Sequence, residues 1–193
     1  MTITIIPPTE GGEGNEEGIG EWATVIKNMI PRKLFVLTLG LTICVGPSAS
    51  AAPKKASTTQ QELQGIYNKI NEAIAQKNVD SVFDFDTPDH TTTDTKGHVH
   101  EASDGRQELQ DLMNLMDTAK STSTIKSITS TDTDATVVVK DHFIFIISNR
   151  STGRTAKIVG EDVSRDYWVK TDEGWRRKKT RILSGKTGLR KNF

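Results

Sequence analysis

The sequence predicts an α+β fold with helices first and a meander of long antiparallel strands after them. Apolar residues recur at helical spacing only in the stretch before residue 117, and from residue 122 onward the pattern is strand-like. No helix separates the later strands, which excludes a doubly wound parallel sheet, because parallel neighbours need crossover connections. The expected architecture is a cone-shaped roll, a curved antiparallel sheet with a mixed edge wrapped around N-terminal helices.

The elements follow in chain order. Residues 29–51 read MIPRKLFVLTLGLTICVGPSASA. Arg32 and Lys33 make a positive start, 34–46 is an uncharged and mostly apolar run, and Pro47 breaks it. Ala49-Ser50-Ala51 then gives a small-x-small pattern before Ala52. This is the anatomy of a secretory signal peptide cleaved between Ala51 and Ala52. The run is shorter than the roughly 20 apolar residues a spanning helix needs. Residues 1–28 are Gly- and Glu-rich and lack sustained periodicity. The expectation is that translation starts at Met29 and that 1–28 is not native; the alternative is a disordered tail before an uncleaved anchor. The expected mature chain is exported, periplasmic or secreted, with no stable membrane anchor.

Residues 52–58 are a polar linker to a domain over 59–184, and 185–193 reads as a basic flexible tail. Leu63, Ile66, Tyr67, Ile70 and Ile74 predict an amphipathic helix over 59–76. A short helix over 79–85 follows, ended by Pro88. Residues 91–94 and 98–100 flank the turn Asp94-Thr95-Lys96-Gly97 as two short strands. A third helix starts near Asp104, with Gln107 placed as a capping-box partner. Strands are predicted over 122–130, 134–148, 155–169 and 175–183. The run Phe143-Ile144-Phe145-Ile146-Ile147 predicts burial on both faces. Gly160 reads as a bulge or bend.

The 193 residues hold 25 basic and 25 acidic side chains, a formal net charge of zero that conceals unlike parts. Residues 52–175 hold 14 basic and 20 acidic residues, and 176–193 hold eight basic and no acidic ones. An exported chain with an acidic body argues against a nucleic-acid partner. The single Cys44 excludes an intrachain disulfide framework and a Cys-rich zinc module. It lies within the expected signal peptide, so a cysteine nucleophile is excluded from the mature domain. No Gly-rich phosphate loop, nucleophile elbow or HExxH is present.

Several short features fall in a familiar order. They are Gln76-Lys77-Asn78-Val79-Asp80 with Phe83 and Phe85, Thr93-Asp94-Thr95-Lys96-Gly97, and Gly105-Arg106-Gln107-Glu108-Leu109. Asp134-Ala135-Thr136-Val137 and Tyr167-Trp168-Val169-Lys170 before Gly174-Trp175 complete the set. Together they resemble the nuclear transport factor 2-like superfamily, with its ketosteroid isomerase-like and SnoaL-like members and many exported bacterial proteins. The resemblance covers about residues 58–184. It implies a cone with a pocket between helices and concave sheet, and homodimerisation through the sheet. It does not fix an activity, because this fold hosts enzymes, binding proteins and assembly modules.

The resemblance places a general base at Asp94. The tyrosine that completes the oxyanion hole of ketosteroid isomerase-like enzymes would fall near Ile70, with Tyr67 almost a turn earlier. Asp94 equally reads as the residue opening its turn. His142 shares a strand face with Val138, Ile144 and Ile146, and would be the group titrating near neutral pH if it reached a pocket. His98 and His100 alternate on one face, and with His90 or Asp94 could offer nitrogen and oxygen ligands. That spacing alone does not define a metal site, and none is expected. Trp168 and Trp175 either pack across their hairpin or line a pocket. Arg177, Lys179 and Arg181 share one strand face, with Arg176, Lys178 and Ile182 on the other.

The leading expectation is a pocket for a small, anionic or aromatic ligand, without established catalysis and without a cofactor. Its candidate ligand-binding residues are Tyr67, His142, Tyr167, Trp168, Trp175, Arg177, Lys179 and Arg181. The alternatives are an isomerase or cyclase using Asp94 or His142 as base, and an assembly module that dimerises through its sheet.

Overall fold

The structure, a computed structural model, describes residues 4–5, 57–149 and 154–191. The expected signal peptide and cleavage site lie outside the described residues. Among the described residues no helix is long and apolar enough to cross a membrane.

Helix α1 spans Thr58–Ala75, and Ser57 caps it by accepting from the Gln60 N–H at 3.2 Å. Leu63, Tyr67, Ile70 and Ala73 form its buried stripe. Lys77 takes a left-handed φ of 57° at the helix end, and Asn78 caps the short α2, Val79–Phe83. This helix is two residues shorter than predicted. The chain turns at Asp84–Phe85 so that strand β2 (Asp86–Thr93) can join the sheet, and Pro88 sits exposed within that strand. Strand β3, Val99–Glu101, completes the hairpin, and Gly97 supplies its positive φ of 89°.

Helix α3, Ala102–Leu115, begins two residues earlier than predicted. Its N-cap Glu101 makes no side-chain cap. Gln107 instead donates to Asp111 one turn on, at 2.8 Å.

A two-residue β1 (Thr4–Ile5) and the long strands β4 (Met116–Ser130), β5 (Asp134–Asn149), β6 (Arg154–Thr171) and β7 (Gly174–Lys191) complete the sheet. The spatial order is β3-β2-β7-β6-β5-β4, with β1 beside β7. β2 and β1 run parallel to β7, and the other pairings are antiparallel. That is the expected α+β roll with its mixed edge. β4 starts directly from α3, six residues before the predicted strand. β7 extends to Lys191, so the expected tail from 185 is paired with β6 as far as Ala156↔Lys191.

Helix α1 lies against edge strand β4. Gln64 of α1 donates to the Ser123 carbonyl at 2.9 Å and accepts from the Ile125 N–H at 3.3 Å, filling backbone valences that an edge strand leaves open. Leu63, Met113, Val137, Val139 and Trp168 make the centre of the core.

Two sequence-level expectations change here. In β5 only the helix-facing side is fully buried: Val137, Val139, Phe143 and Ile147 are enclosed, whereas Ile144 and Ile146 on the outer face are half-buried. A continuous apolar run therefore did not require two-sided burial. Gly160 is not a bulge. It pairs in register with Phe143, whose ring covers it so closely that a Cβ there would fall 2.2 Å from the ring.

Candidate functional site

The helix-facing side of the sheet is built by strand alternation. Asp162, Ser164, Asp166 and Trp168 project from β6 on this side, and Asp141 and Phe143 from β5. The direct partners are Asp141↔Asp162, Val139↔Ser164 and Val137↔Asp166.

Between β6 and β7 the register slips at Tyr167/Trp168, pairing Tyr167 with Lys179 but Trp168 with Arg177. Lys178 is the extra residue of a bulge, and alternation reverses after it. Arg177 consequently points inward with Trp168, and Lys179 and Arg181 point outward, exposed. The predicted shared face of these three cations is split by that one residue. Thr180 and Ile182 take the inward positions instead.

Arg177 anchors a buried polar network. Its Nε donates to Asp86 Oδ1 at 2.8 Å and its Nη2 to Asp86 Oδ2 at 3.3 Å, a two-point contact. Its Nη1 lies 3.8 Å from Asp166 Oδ2, and its guanidinium sits 5.9 Å from the Trp168 ring centroid. The Tyr67 hydroxyl donates to Asp166 Oδ2 at 2.7 Å and accepts from Trp168 Nε1 at 3.2 Å. Ser164 donates to Asp166 Oδ1 at 3.3 Å. His90 lies 3.5 Å from Asp86 through Nδ1 and 3.2 Å from Thr180 Oγ1 through Nε2.

Burial, reinforced by Asp166, pushes the Tyr67 phenol far above its ordinary value, so it stays a donor. Burial works against the Arg177 charge, but Asp86 and Asp166 outweigh it and hold the guanidinium firmly protonated. Burial also lowers His90, against the pull of Asp86, leaving a neutral imidazole at neutral pH. Such a network is costly to break, because each member would leave a buried partner unpaired.

A second polar centre lies farther along the same face. Asp141 and Asp162 stand directly opposite on neighbouring strands. Burial pushes the Asp141 carboxyl up to about 6, although Ser123 donates to its Oδ1 at 2.5 Å. Burial and the neighbouring Asp141 push Asp162 up to about 7. The Asp162 carboxyl rests over Gly185, where a Cβ would fall 2.4 Å from its Oδ1. No protein hydrogen bond satisfies it among the described residues, and it is half-buried. Phe143 and Phe145 stack beside the pair at 4.9 Å between centroids. Between about pH 6 and 7 two such carboxyls hold about one proton between them, an arrangement able both to accept and to donate.

The remaining predicted residues sit elsewhere. Asp94 occupies its turn: Oδ1 accepts from the Lys96 and His98 N–H groups at 2.8 Å each, and Oδ2 lies 3.0 Å from His98 Nδ1. Burial opposes its charge, but these hydrogen bonds prevail and hold the carboxyl below its ordinary value. His100 Nε2 is 3.9 Å from Asp94, while His90 belongs to the other network. No group of three His, Cys, Asp or Glu among the described residues is arranged to hold a metal.

His142 is on the outer face, opposite Glu161 and Thr122. Tyr167 is also on the outer face and 40% exposed. Trp175 is buried and donates to Glu62 of α1 at 2.9 Å, with Lys170 over its ring. Trp168 makes its edge-on ring contact with Tyr67, at 5.5 Å.

Asp86, Asp141, Asp162 and Asp166 are the site residues that sequence reasoning missed, and His90 was weighed only beside His98 and His100. The alternation of Asp162, Ser164 and Asp166 in phase with Trp168 was the available signal, a polar stripe on the face that also carries a large aromatic.

No family model matches the chain, and no curated protein matches it. Solved structures do resemble it in three dimensions. A protein from Kribbella flavida aligns at a TM-score of 0.53 and 16% identity, covering 65% of this chain and 89% of the other. A scytalone dehydratase-like protein from Novosphingobium aromaticivorans aligns at 0.52 and 13%, covering 70% and 85%. A nuclear transport factor 2-like superfamily protein from Salmonella enterica aligns at 0.48 and 19%, covering 63% and 87%. Identities this low speak for architecture alone, and what they establish, with the helices, strand order and curved sheet described above, is that the chain shares the α+β fold of the Kribbella and Novosphingobium proteins, the architecture that the nuclear transport factor 2-like resemblance implies.

Proposed function

We propose that the protein binds a small, largely apolar molecule that presents a cationic or hydrogen-bond-donating group to the Asp141–Asp162 pair. The observation that carries this reading is Asp162: a half-buried carboxyl raised to about 7, facing the helices, with no protein hydrogen-bond partner among the described residues. A polar group in that condition is satisfied by whatever enters. Phe143 and Phe145 supply an aromatic wall beside it.

The sequence-level expectation of an anionic ligand loses support from the same geometry. Arg177 is engaged by Asp86 and Asp166, so the inward-facing side carries four aspartates against one arginine. Charge complementarity favours an amine or a hydroxyl donor over a carboxylate.

A thermal-shift series at neutral pH tests the reading, using aromatic amines and aromatic carboxylates of matched size as probes. The amines should raise the melting temperature in proportion to their concentration, and the carboxylates should not. Asp162→Asn should remove the response. Stabilisation by the carboxylates alone, or an unchanged amine response in Asp162→Asn, would overturn it.

A proton-transfer enzyme is the second reading, favoured by the Asp162 value near operating pH, where a general base works best. In that case Asp162 takes the role that sequence reasoning gave to Asp94 or His142. The scytalone dehydratase-like protein that shares the fold is in keeping with this reading. Export stays part of the proposal, and N-terminal sequencing of the native protein tests it: a mature start at Ala52 is expected.

A further inference from the structure

The bulge at Lys178 that sends Arg177 inward also builds an uncompensated basic patch on the opposite face. Arg181 and Arg165 face outward as direct cross-strand partners on β7 and β6. The adjacent row pairs Lys179 with Tyr167. Among the described residues, no ion pair is formed by Arg165, Lys179 or Arg181. Two like charges placed directly opposite destabilise a sheet. The acidic Glu161 is on the same face, but Lys140 holds it at 2.9 Å, and Lys186 is its partner across the strands. Of the other acidic residues on this face, Asp89 lies 3.8 Å from Lys178, Asp134 accepts from Thr133 and Asp117 accepts from Ser148.

Around these cations the outer face is aliphatic. Val138 is the partner of Arg165, and Val163 the partner of Lys140, both half-buried. Tyr167, exposed to 40%, stands beside them.

We infer that this outer sheet face is a docking surface for an anionic lipid bilayer. A membrane surface answers each feature at once. Anionic headgroups neutralise Arg165, Lys179 and Arg181, which facing strands cannot do. The aliphatic stems and valines settle at the headgroup boundary, and a tyrosine suits that interface. A second copy of the chain on this face would bring three further cations to the same interface, where Glu161 is already held by Lys140. A single-stranded nucleic acid would want several exposed aromatics for base stacking, where this face exposes one.

The test is co-sedimentation of the full chain with vesicles of phosphatidylcholine, with and without phosphatidylglycerol. The uncharged run over 34–46 adds the same apolar contribution to both vesicle types, and every variant retains Arg32 and Lys33, so comparison between variants isolates the sheet face. Binding to the anionic vesicles should exceed binding to the neutral ones and fall as salt is added. Arg165→Gln and Arg181→Gln should each lower the anionic partition coefficient about fivefold, and the double variant about twenty-five-fold. Lys69→Gln, the same charge change on the exposed side of α1, should leave it unaltered. Circular dichroism identifies any variant that fails to fold, and either arginine alone then suffices. Unchanged partitioning in the arginine variants, an equal loss in Lys69→Gln, a concentration-dependent dimer that Arg165→Gln dissociates, or binding to single-stranded DNA in preference to vesicles would each overturn the inference.

Discussion

Replacing Asp162 by Asn separates the cost of the carboxylate pair from the rest of the fold. In the folded chain Asp162 keeps its proton up to about pH 7, whereas its ordinary value is 3.8. Between those limits the native state binds a proton that the unfolded state has released. Stability therefore falls as pH rises through that window, the opposite of a salt-bridged aspartate. A displacement of this size corresponds to about 4 kcal/mol above pH ~8, and to almost nothing below pH ~4. Asn occupies nearly the same volume and cannot ionise. Urea unfolding of Asp162→Asn should therefore match wild type below pH ~4 and exceed it by about 2–4 kcal/mol above pH ~8, with unchanged denaturant slope. Asp141, raised to about 6, should leave the variant a shallower decline that ends earlier. Parallel pH profiles for the two proteins, or a variant less stable than wild type at high pH, would refute the claim that Asp162 is held neutral by its surroundings.

Two further perturbations test the groups around the pair. Tyr67→Phe removes the donor to Asp166 and the acceptor for Trp168 Nε1, and should cost about 1–3 kcal/mol in urea unfolding; a loss of only a few tenths would mean that the network does not depend on the phenol. Gly160→Ala places a methyl within 2.2 Å of the Phe143 ring and should cost about 1–3 kcal/mol by forcing that ring aside, read as a lowered melting temperature.

The sequence made the architecture legible because the relevant signals are local. Helical spacing at Leu63, Tyr67 and Ile70 and the unbroken strand pattern after residue 121 each depend on a few neighbouring residues. Strand boundaries were less legible. β7 reaches Lys191 because β6 offers it partners, a fact set by a strand that lies elsewhere in the chain. The site was legible only in part, for the same reason. Tyr67, Trp168 and Arg177 were visible as candidates, but the carboxylates that give them meaning come from β2 and β6. Asp94 looked like a base because of its place in a motif, and its turn engages both carboxylate oxygens locally. Asp162 has no motif at all; its significance lies in standing across from Asp141 on a neighbouring strand and in lacking a donor.

The bulge at Lys178 connects the inner and outer readings. Without it, strict alternation from Arg177 would carry Lys179 and Arg181 to the helix-facing side. Three cations would then meet Asp86, Asp141, Asp162 and Asp166 there, and the interior would be near neutral rather than acidic. One extra residue leaves Arg177 alone with Asp86 and Asp166, and the other two cations move to the outer face. The same backbone irregularity thus makes the interior acidic and the exterior basic. It follows that deleting Lys178 should leave both surfaces in place, because Lys179 would then follow Arg177 directly and strict alternation keeps Arg177 and Thr180 inward and Lys179 and Arg181 outward. Lys178→Gln, which keeps the extra residue, should likewise leave both faces in place and remove only the 3.8 Å contact with Asp89, so a large loss of stability in either variant, read by urea unfolding, would refute this account of the bulge.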